Sequence, residues 1–487
     1  MIVFAAFIVF VLVSESAARY YEVRQVELTH VSTLIETDYA RPALANGLAW
    51  GVAGAAIVAL SIGVYFAVPV IAGLSIMIVY VIVRITLVTL MLSAARLSIS
   101  IRLRQAMAHT DIRNAPIAFH FSGADYPSPF HFHMWESELE SVDAGCILLL
   151  REHKHLIYER MRNSRHAILL PNAPAIAEFS RASAEFLRAV FYANNGIKNS
   201  AFIKAFPRVT HVQLLHGDSD KPPSFNPTTK IYDLIFVAGR MGIDRYARNG
   251  VTIPAEKFRI VGRPQARAIL DAPRGAGRGL RKVIYMPTWS GFFEDTKFSS
   301  LAQANQIIET ILASDQPTQL DFKPHPLSFK DPQWPQLERA IRATLGKSRA
   351  NGNRGIFRTD TAEPFDLYNE ADVVITDISS VMIDYLYSGK PFLVILPVDF
   401  NVAKDAERFP SLEAGYQVTA SLENLSSQFN AAIGEDPLKA KRKAVRLYAF
   451  GDYGRPPGEA FREACFALLD DVCDTSPKIG EGSDHDR

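Results

Sequence analysis

From about residue 115 onward, short apolar runs alternate with segments of helical periodicity. APIAFHF, CILLL, HAILL, AVFYA, VTHVQLL, DLIFVAG and FRIVG read as strands, and helices are predicted near Trp135–Ser141 and His153–Met161. Unbroken apolar runs bounded by turns are typical of strands buried on both faces, and their alternation with helices predicts a parallel sheet covered on each side. A second series starts at Lys282 with VIYMP, continues through TQLDFK (318–323) and Val373-Val374-Ile375, and ends near Ile433. Between the two series lies Ala272–Arg281 (APRGAGRGLR), rich in Gly and Arg and without apolar periodicity, which predicts a linker. The expected fold is therefore α/β: two Rossmann-like domains facing a cleft, over 115–270 and 282–470, followed by a disordered polar tail at 474–487.

The N-terminal region has a different pattern. No charged residue occurs from Pro42 to Val83, enough for two membrane spans of about 20 residues each. A transmembrane helical hairpin is expected over 44–92, with spans at about 44–66 and 70–92, and Arg84 in the second span is expected to snorkel toward an interface. Met1–Val13 is a shorter apolar stretch, either a further span or an interfacial segment; it lacks the basic start of a signal peptide. Arg96, Arg102, Arg104 and Arg113 follow the second span and predict that the downstream domains face the cytoplasm, where the basic run can also meet anionic lipids.

Charge narrows the function only by exclusion. Lys and Arg total 52 against 51 Asp and Glu, and no basic stripe marks a nucleic-acid partner. The cysteines at 146, 465 and 473 have neither metal-ligand nor paired spacing, so free thiols are expected. His120, His131 and His133 invite a metal reading, but a polar loop rim explains them more simply. The Gly-rich linker does not open a helix after a strand, so a dinucleotide fingerprint is not indicated.

Candidate chemistry collects where strands end. Residues 371–391 read ADVVITDISSVMIDYLYSGKP: a strand ending at Thr376-Asp377, then a helix beginning at Ser379-Ser380. Unpaired N–H groups and two hydroxyls at such a point suit phosphate, although an ordinary N-cap is the competing reading. Asp384 falls one turn later on a nearby face. His325, bracketed by Pro324 and Pro326, follows another strand, and His216-Gly217 ends VTHVQLL with Lys221 beyond it. Two histidines just past strand ends fit the rule that open α/β sheets bind ligands there.

HGDSDK (216–221), FRIVGRP (258–264), VIYMPTWSG (283–291), KPHP (323–326) and DLYNEADVVITDISSVMIDYLYSGKP (366–391), in this order, resemble the CDP-glycerol:poly(glycerophosphate) glycerophosphotransferases. The likeness extends over roughly 190–460. It departs from the family pattern at Asp218 and Asp220, where small or apolar residues are usual, at Ser290, and at the turn Gly262–Arg267. The resemblance implies a GT-B-like fold and transfer of a polyol phosphate, glycerol phosphate foremost, from a CDP-activated donor to a hydroxyl on a lipid-linked polymer such as teichoic acid. It implies His216 as general base and His325 as hydrogen-bond donor to the departing phosphate. Ser379 and Ser380 would cradle phosphate, with Lys221 and Lys323 as charge partners and Thr288 closing the donor pocket. Asp377 or Asp384 would orient the donor or accept a ribose hydroxyl. No metal or other cofactor is implied. A nucleotide-sugar glycosyltransferase of envelope polysaccharide synthesis would share this layout, as would a nucleotide-sugar epimerase, while a membrane-anchored scaffold would need the site to be spoiled.

Overall fold

The computed structural model describes residues 75, 77–90, 93 and 97 and most of 115–470. Within that stretch, residues 125, 163–166, 171, 270–279, 290–297, 348, 350, 359–363, 403–405 and 452–457 lie outside the described set. The segment 1–13, the first predicted span, Arg96, Arg102, Arg104, Arg113, most of the linker and the tail 474–487 are thus outside the described residues. In the second predicted span, 77–90 form a helix with Ile78, Val79, Ile82 and Ile85 exposed. Arg84, expected to reach outward, is instead buried, as is Tyr80. Residues four apart share one helix face, and here that face is turned inward. No helix among the described residues is long and apolar enough to cross a membrane.

Thirteen described strands lie in parallel sheets. The chain divides into two compact units. The first comprises the described residues up to Pro129 with Ala144–Leu187 and Ala201–Pro207. It carries β1 (Ile117–Phe121), β2 (Cys146–Leu150) and β3 (Ala167–Leu169) in the order β3-β2-β1. Ile117 pairs with Cys146, and Leu148 with Ala167.

The second unit comprises Phe130–Asp143, Arg188–Ser200 and the chain from Arg208 onward. It holds β4 (Ala189–Tyr192), β5 (Thr210–Gln213), β6 (Leu234–Val237) and β7 (Phe258–Ile260), side by side in that order. It also holds the whole six-stranded sheet: β8 (Arg281–Met286), β9 (Thr318–Phe322), β10 (Arg354–Phe357), β11 (Val373–Asp377), β12 (Phe392–Ile395) and β13 (Tyr416–Val418), ordered β10-β9-β8-β11-β12-β13. The apolar runs of this sheet are continuous because both faces are covered. Val283, Tyr285, Leu320, Phe322, Val373 and Ile375 pack in one core with the helices Ala304–Leu312 and Trp334–Leu345. Their neighbours Ile284, Met286 and Val374 point the other way, into a core with Met382, Ile383, Val445 and Ala449. Each fully buried aliphatic side chain contributes roughly 1.5–3 kcal/mol.

Register fixes the ends that matter. Tyr285 pairs with Phe322 and Ile375 with Tyr285, so β8, β9 and β11 stop at nearly the same level. Thr288, His325 and Ser379 follow within a few residues of those ends. The last helix, Glu459–Asp470, runs back to the β4–β7 side: Phe461 lies 5.4 Å from Trp135, 6.4 Å from Phe191 and 6.1 Å from Phe236, ring centre to ring centre.

Candidate active site

His216 begins the turn after β5, and Leu215 before it adopts φ +58°, a left-handed conformation that a leucine takes only under constraint. The constraints are visible. Trp135 Nε1 donates to the Leu215 carbonyl at 2.9 Å, and the Leu215 N–H donates to Gln213 Oε1 at 3.0 Å. The His216 ring is stacked on His131, with centroids 4.2 Å apart and planes 21° from parallel. Its Nδ1 lies 2.8 Å from the carbonyl of Ala193. A carbonyl only accepts, so Nδ1 carries the proton and Nε2 keeps the lone pair. Burial lowers the His216 pKa, against the pull of the Ala193 bond and with help from the Arg263 charge. His131 is pushed down to about 2 by burial and by its stacked neighbour. Both rings are therefore neutral near pH 7.

His325 has the opposite tautomer. Its Nδ1 accepts the N–H of Leu327 at 3.1 Å, capping the short helix Pro326–Lys330, so Nε2 bears the hydrogen. Burial and the Lys221 charge lower its pKa to about 4. At neutral pH one histidine thus presents a basic nitrogen and the other an N–H.

Lys221 links the loops. Its ammonium lies 3.5 Å from Thr288 Oγ1 and over the Phe298 ring, and burial lowers its pKa while Asp377 opposes that shift. Asp377 is fully buried at the end of β11 and accepts four hydrogen bonds. Thr288 N–H lies 3.0 Å from each carboxylate oxygen, and Ser300 contributes its N–H at 2.9 Å and its hydroxyl at 3.1 Å. Burial raises the Asp377 pKa to about 6, moderated by Lys221 and these donors. The carboxylate therefore anchors the loop after β8 and places Thr288, with its acceptor capacity committed to that task.

Ser379 caps the helix Ser380–Leu386 by backbone position only; its buried hydroxyl lies 3.2 Å from Thr376 Oγ1. Ser380 is exposed, and a methyl added at Gly217 would sit 3.6 Å from its Cβ, so the His216-Gly217 turn faces the start of this helix. Asp384 accepts from Arg263 Nε at 3.2 Å, both side chains being buried, and burial raises the Asp384 pKa despite the arginine. Lys323 is half-buried one residue past β9, its N–H bonded to the Tyr285 carbonyl at 2.9 Å. Among the described residues no group of His, Cys, Asp and Glu could hold a metal ion.

Asp218 and Asp220 have a structural explanation. Both are buried and both bind Arg245, Asp218 through one terminal nitrogen and Asp220 through Nε at 3.1 Å. Burial works against the Arg245 charge, and the two carboxylates overcome it and hold its pKa above the usual value. The other oxygen of Asp220 accepts from the N–H and hydroxyl of Ser411. The acidic loop is thereby fastened at both ends. Sequence reasoning missed Arg245, Ser300 and Ser411 as partners, and it missed His131 and Trp135 as supports of His216. The spacing of His131 and Trp135 by four residues was the available signal, but the helix predicted near Trp135–Ser141 left His131 on a loop rim, whereas the helix begins at Phe130 and buries it.

The sequence profile of the CDP-Glycerol:Poly(glycerophosphate) glycerophosphotransferase family matches residues 265–401, which include Thr288, Lys323, His325, Asp377, Ser379, Ser380 and Asp384. Over those residues the chain is similar to this family. No curated protein sequence matches it. The fold is shared with a protein described as a UDP-N-acetylglucosamine 2-epimerase from Listeria monocytogenes: 12% identity, 74% of this chain, 98% of that chain, TM-score 0.50. The wall teichoic acid polymerase TagF aligns at 13% identity over 76% of this chain and 92% of that chain, with TM-score 0.44. A TagF variant with CDPG aligns at 15% identity over 75% and 90%, with TM-score 0.44. The match spans β8 to β12 of the six-stranded sheet, and the two parallel sheets have a GT-B-like architecture.

Proposed function

We propose that the protein is a membrane-anchored transferase that moves a polyol phosphate, glycerol phosphate foremost, from a CDP-activated donor to a hydroxyl of a lipid-linked cell-wall polymer such as teichoic acid. The observation that carries this reading is the complementary proton placement on the two histidines. His216 Nε2 takes the proton of the acceptor hydroxyl as its oxygen attacks the β-phosphorus of the donor. The new O–P bond forms while the bond from phosphorus to the CMP oxygen breaks. His325 Nε2–H donates a hydrogen bond to the CMP phosphate as negative charge grows there, and the proton on His216 passes to solvent.

The remaining predicted residues divide the work of binding. Lys221, set against Thr288, offers a positive charge to the donor phosphates, with Lys323 as a second amine. Ser380 faces the Gly217 turn and supplies a hydroxyl, and Ser379 contributes as the cap of the same helix start. Asp377 and Asp384 act through Thr288 and Arg263, and Arg263 in turn adds positive charge beside His216. Anchoring through residues 44–92 rests on the uncharged stretch from Pro42 to Val83, and a cytoplasmic active site rests on the arginines that follow.

Donor profiling of wild-type protein in membranes tests the reading. With a lipid-linked saccharide acceptor, CDP-glycerol or CDP-ribitol should yield acceptor-dependent CMP, and UDP- and GDP-sugars should be inert. Turnover of a nucleotide sugar with no CMP from either CDP-polyol would move the protein to the glycosyltransferase class.

A further inference from the structure

Helix Phe130–Glu140 contains none of the residues assigned above to donor or acceptor, yet it meets the His216 turn twice. His131, 1% exposed, lies face to face with the His216 ring. One helical turn later Trp135, 2% exposed, donates to the Leu215 carbonyl at 2.9 Å. Residues at i and i+4 lie on one helix face, so a single surface holds both the strained residue and the histidine after it. The helix is itself pinned: Trp135 packs on Phe461, and Glu138 pairs with Arg267.

We propose that His131 and Trp135 are positioning residues for His216, fixing the direction in which Nε2 points. The proposal deepens the phosphotransfer reading and rests on it for the identity of the reaction. The Ala193 carbonyl sets which nitrogen is protonated, but one hydrogen bond leaves the ring free to swing about that contact. A parallel ring on its face removes that freedom. The Trp135 bond holds Leu215 at positive φ, without which the turn would relax and carry His216 with it. What His131 supplies is a flat, uncharged face, so a phenyl ring should serve in its place. A neutral plate also leaves room for the positive charge His216 gains on accepting a proton.

The test is kinetic and spectroscopic, on full-length protein in lipid nanodiscs. His131→Ala should lower kcat by about 10- to 100-fold, the scale of a misplaced catalytic group. KM for CDP-glycerol should stay within about twofold of wild type, and His131→Phe should recover most of the rate. Trp135→Phe, which keeps the packing but loses the N–H, should also lower kcat without raising KM. The 15N resonances of the His216 ring should report the same Nδ1-protonated tautomer throughout, sharp in wild type and His131→Phe and broadened by ring motion in His131→Ala. Wild-type kcat in His131→Ala would overturn the proposal, as would a His131→Phe rate as low as that of His131→Ala. If wild type turns over no CDP-polyol, the functional reading fails, and the ring resonances still decide the positioning claim.

Discussion

His325 stands on a turn stiffened by its two flanking prolines and closed by its own Nδ1 on Leu327, so the turn itself is fixed within three residues, with Trp289 stacked 6.4 Å from the ring as a neighbour distant in sequence. His216 stands on a turn that its own sequence does not favour, since Leu215 takes φ +58° and is held there by Trp135, 80 residues upstream. The first turn is specified locally and the second by tertiary contacts. A locally specified group survives changes elsewhere in the fold, whereas His216 depends on every element that supports its turn. Substitutions can sharpen or break that contrast.

The largest effect on stability should come from Arg245→Met, which leaves Asp218 and Asp220 buried without their cation. A loss of about 3–5 kcal/mol is expected in chemical denaturation. Replacing all three with apolar residues should recover most of it, because an uncompensated charge costs more than an absent one. If Arg245→Met were neutral, the acidic loop would not be held as described.

Next come the opposed pH responses of Asp377 and His325. His325 has its pKa depressed from 6.5 to about 4, so the unfolded chain binds more protons in that window, and its contribution to stability is lost as pH falls from 6.5 to 4. Asp377 has its pKa raised from 3.8 to about 6, so the folded state binds more protons, and this group alone favours folding as pH falls from 6 to 4. His325→Asn should therefore flatten acid destabilisation in that range, and Asp377→Asn should steepen it. Melting temperatures between pH 7 and pH 4 read both, and equal slopes in all three proteins would contradict the assignments.

The smallest effects test the contrast most closely. Leu215→Val should cost about 1–2 kcal/mol, because a β-branched residue is poorly accommodated at positive φ. Pro326→Ala removes one local constraint of several and should cost about 0.4–1 kcal/mol, chiefly by freeing the unfolded chain. A reversed order in thermal melts would show that His216, not His325, has the locally stable turn.

The same division explains what the sequence made legible. Strands buried on both faces announce themselves, and the runs that predicted β1 to β9 and β11 each overlap a strand. β10, β12 and β13 are not among them: Arg354–Phe357 is an edge strand with Arg354 exposed and no continuous apolar run, Tyr416–Val418 is only three residues long, and the buried run Phe392–Ile395 is not singled out within the second series. The placement of His216, His325, Lys221, Thr288 and Ser379 on loops after strands was legible because each follows a predicted strand or sits in a distinctive short motif. The pairings of Asp218 and Asp220 with Arg245, of Arg263 with Asp384 and of Asp377 with Ser300 were not, since they join residues distant in sequence. The return of Phe461 to Trp135 is equally invisible to periodicity, which identifies a helix but not the sheet it covers.

The central claim is that two neutral histidines of opposite tautomer carry phosphotransfer. Its most direct test is acceptor-dependent CMP release from CDP-glycerol by wild type, His216→Ala and His325→Ala in membranes, with thermal melts confirming that each is folded. The account predicts a loss of about 10²–10⁴-fold for His216→Ala and about 10²–10³-fold for His325→Ala. A folded variant of either kind that released CMP at the wild-type rate would contradict it.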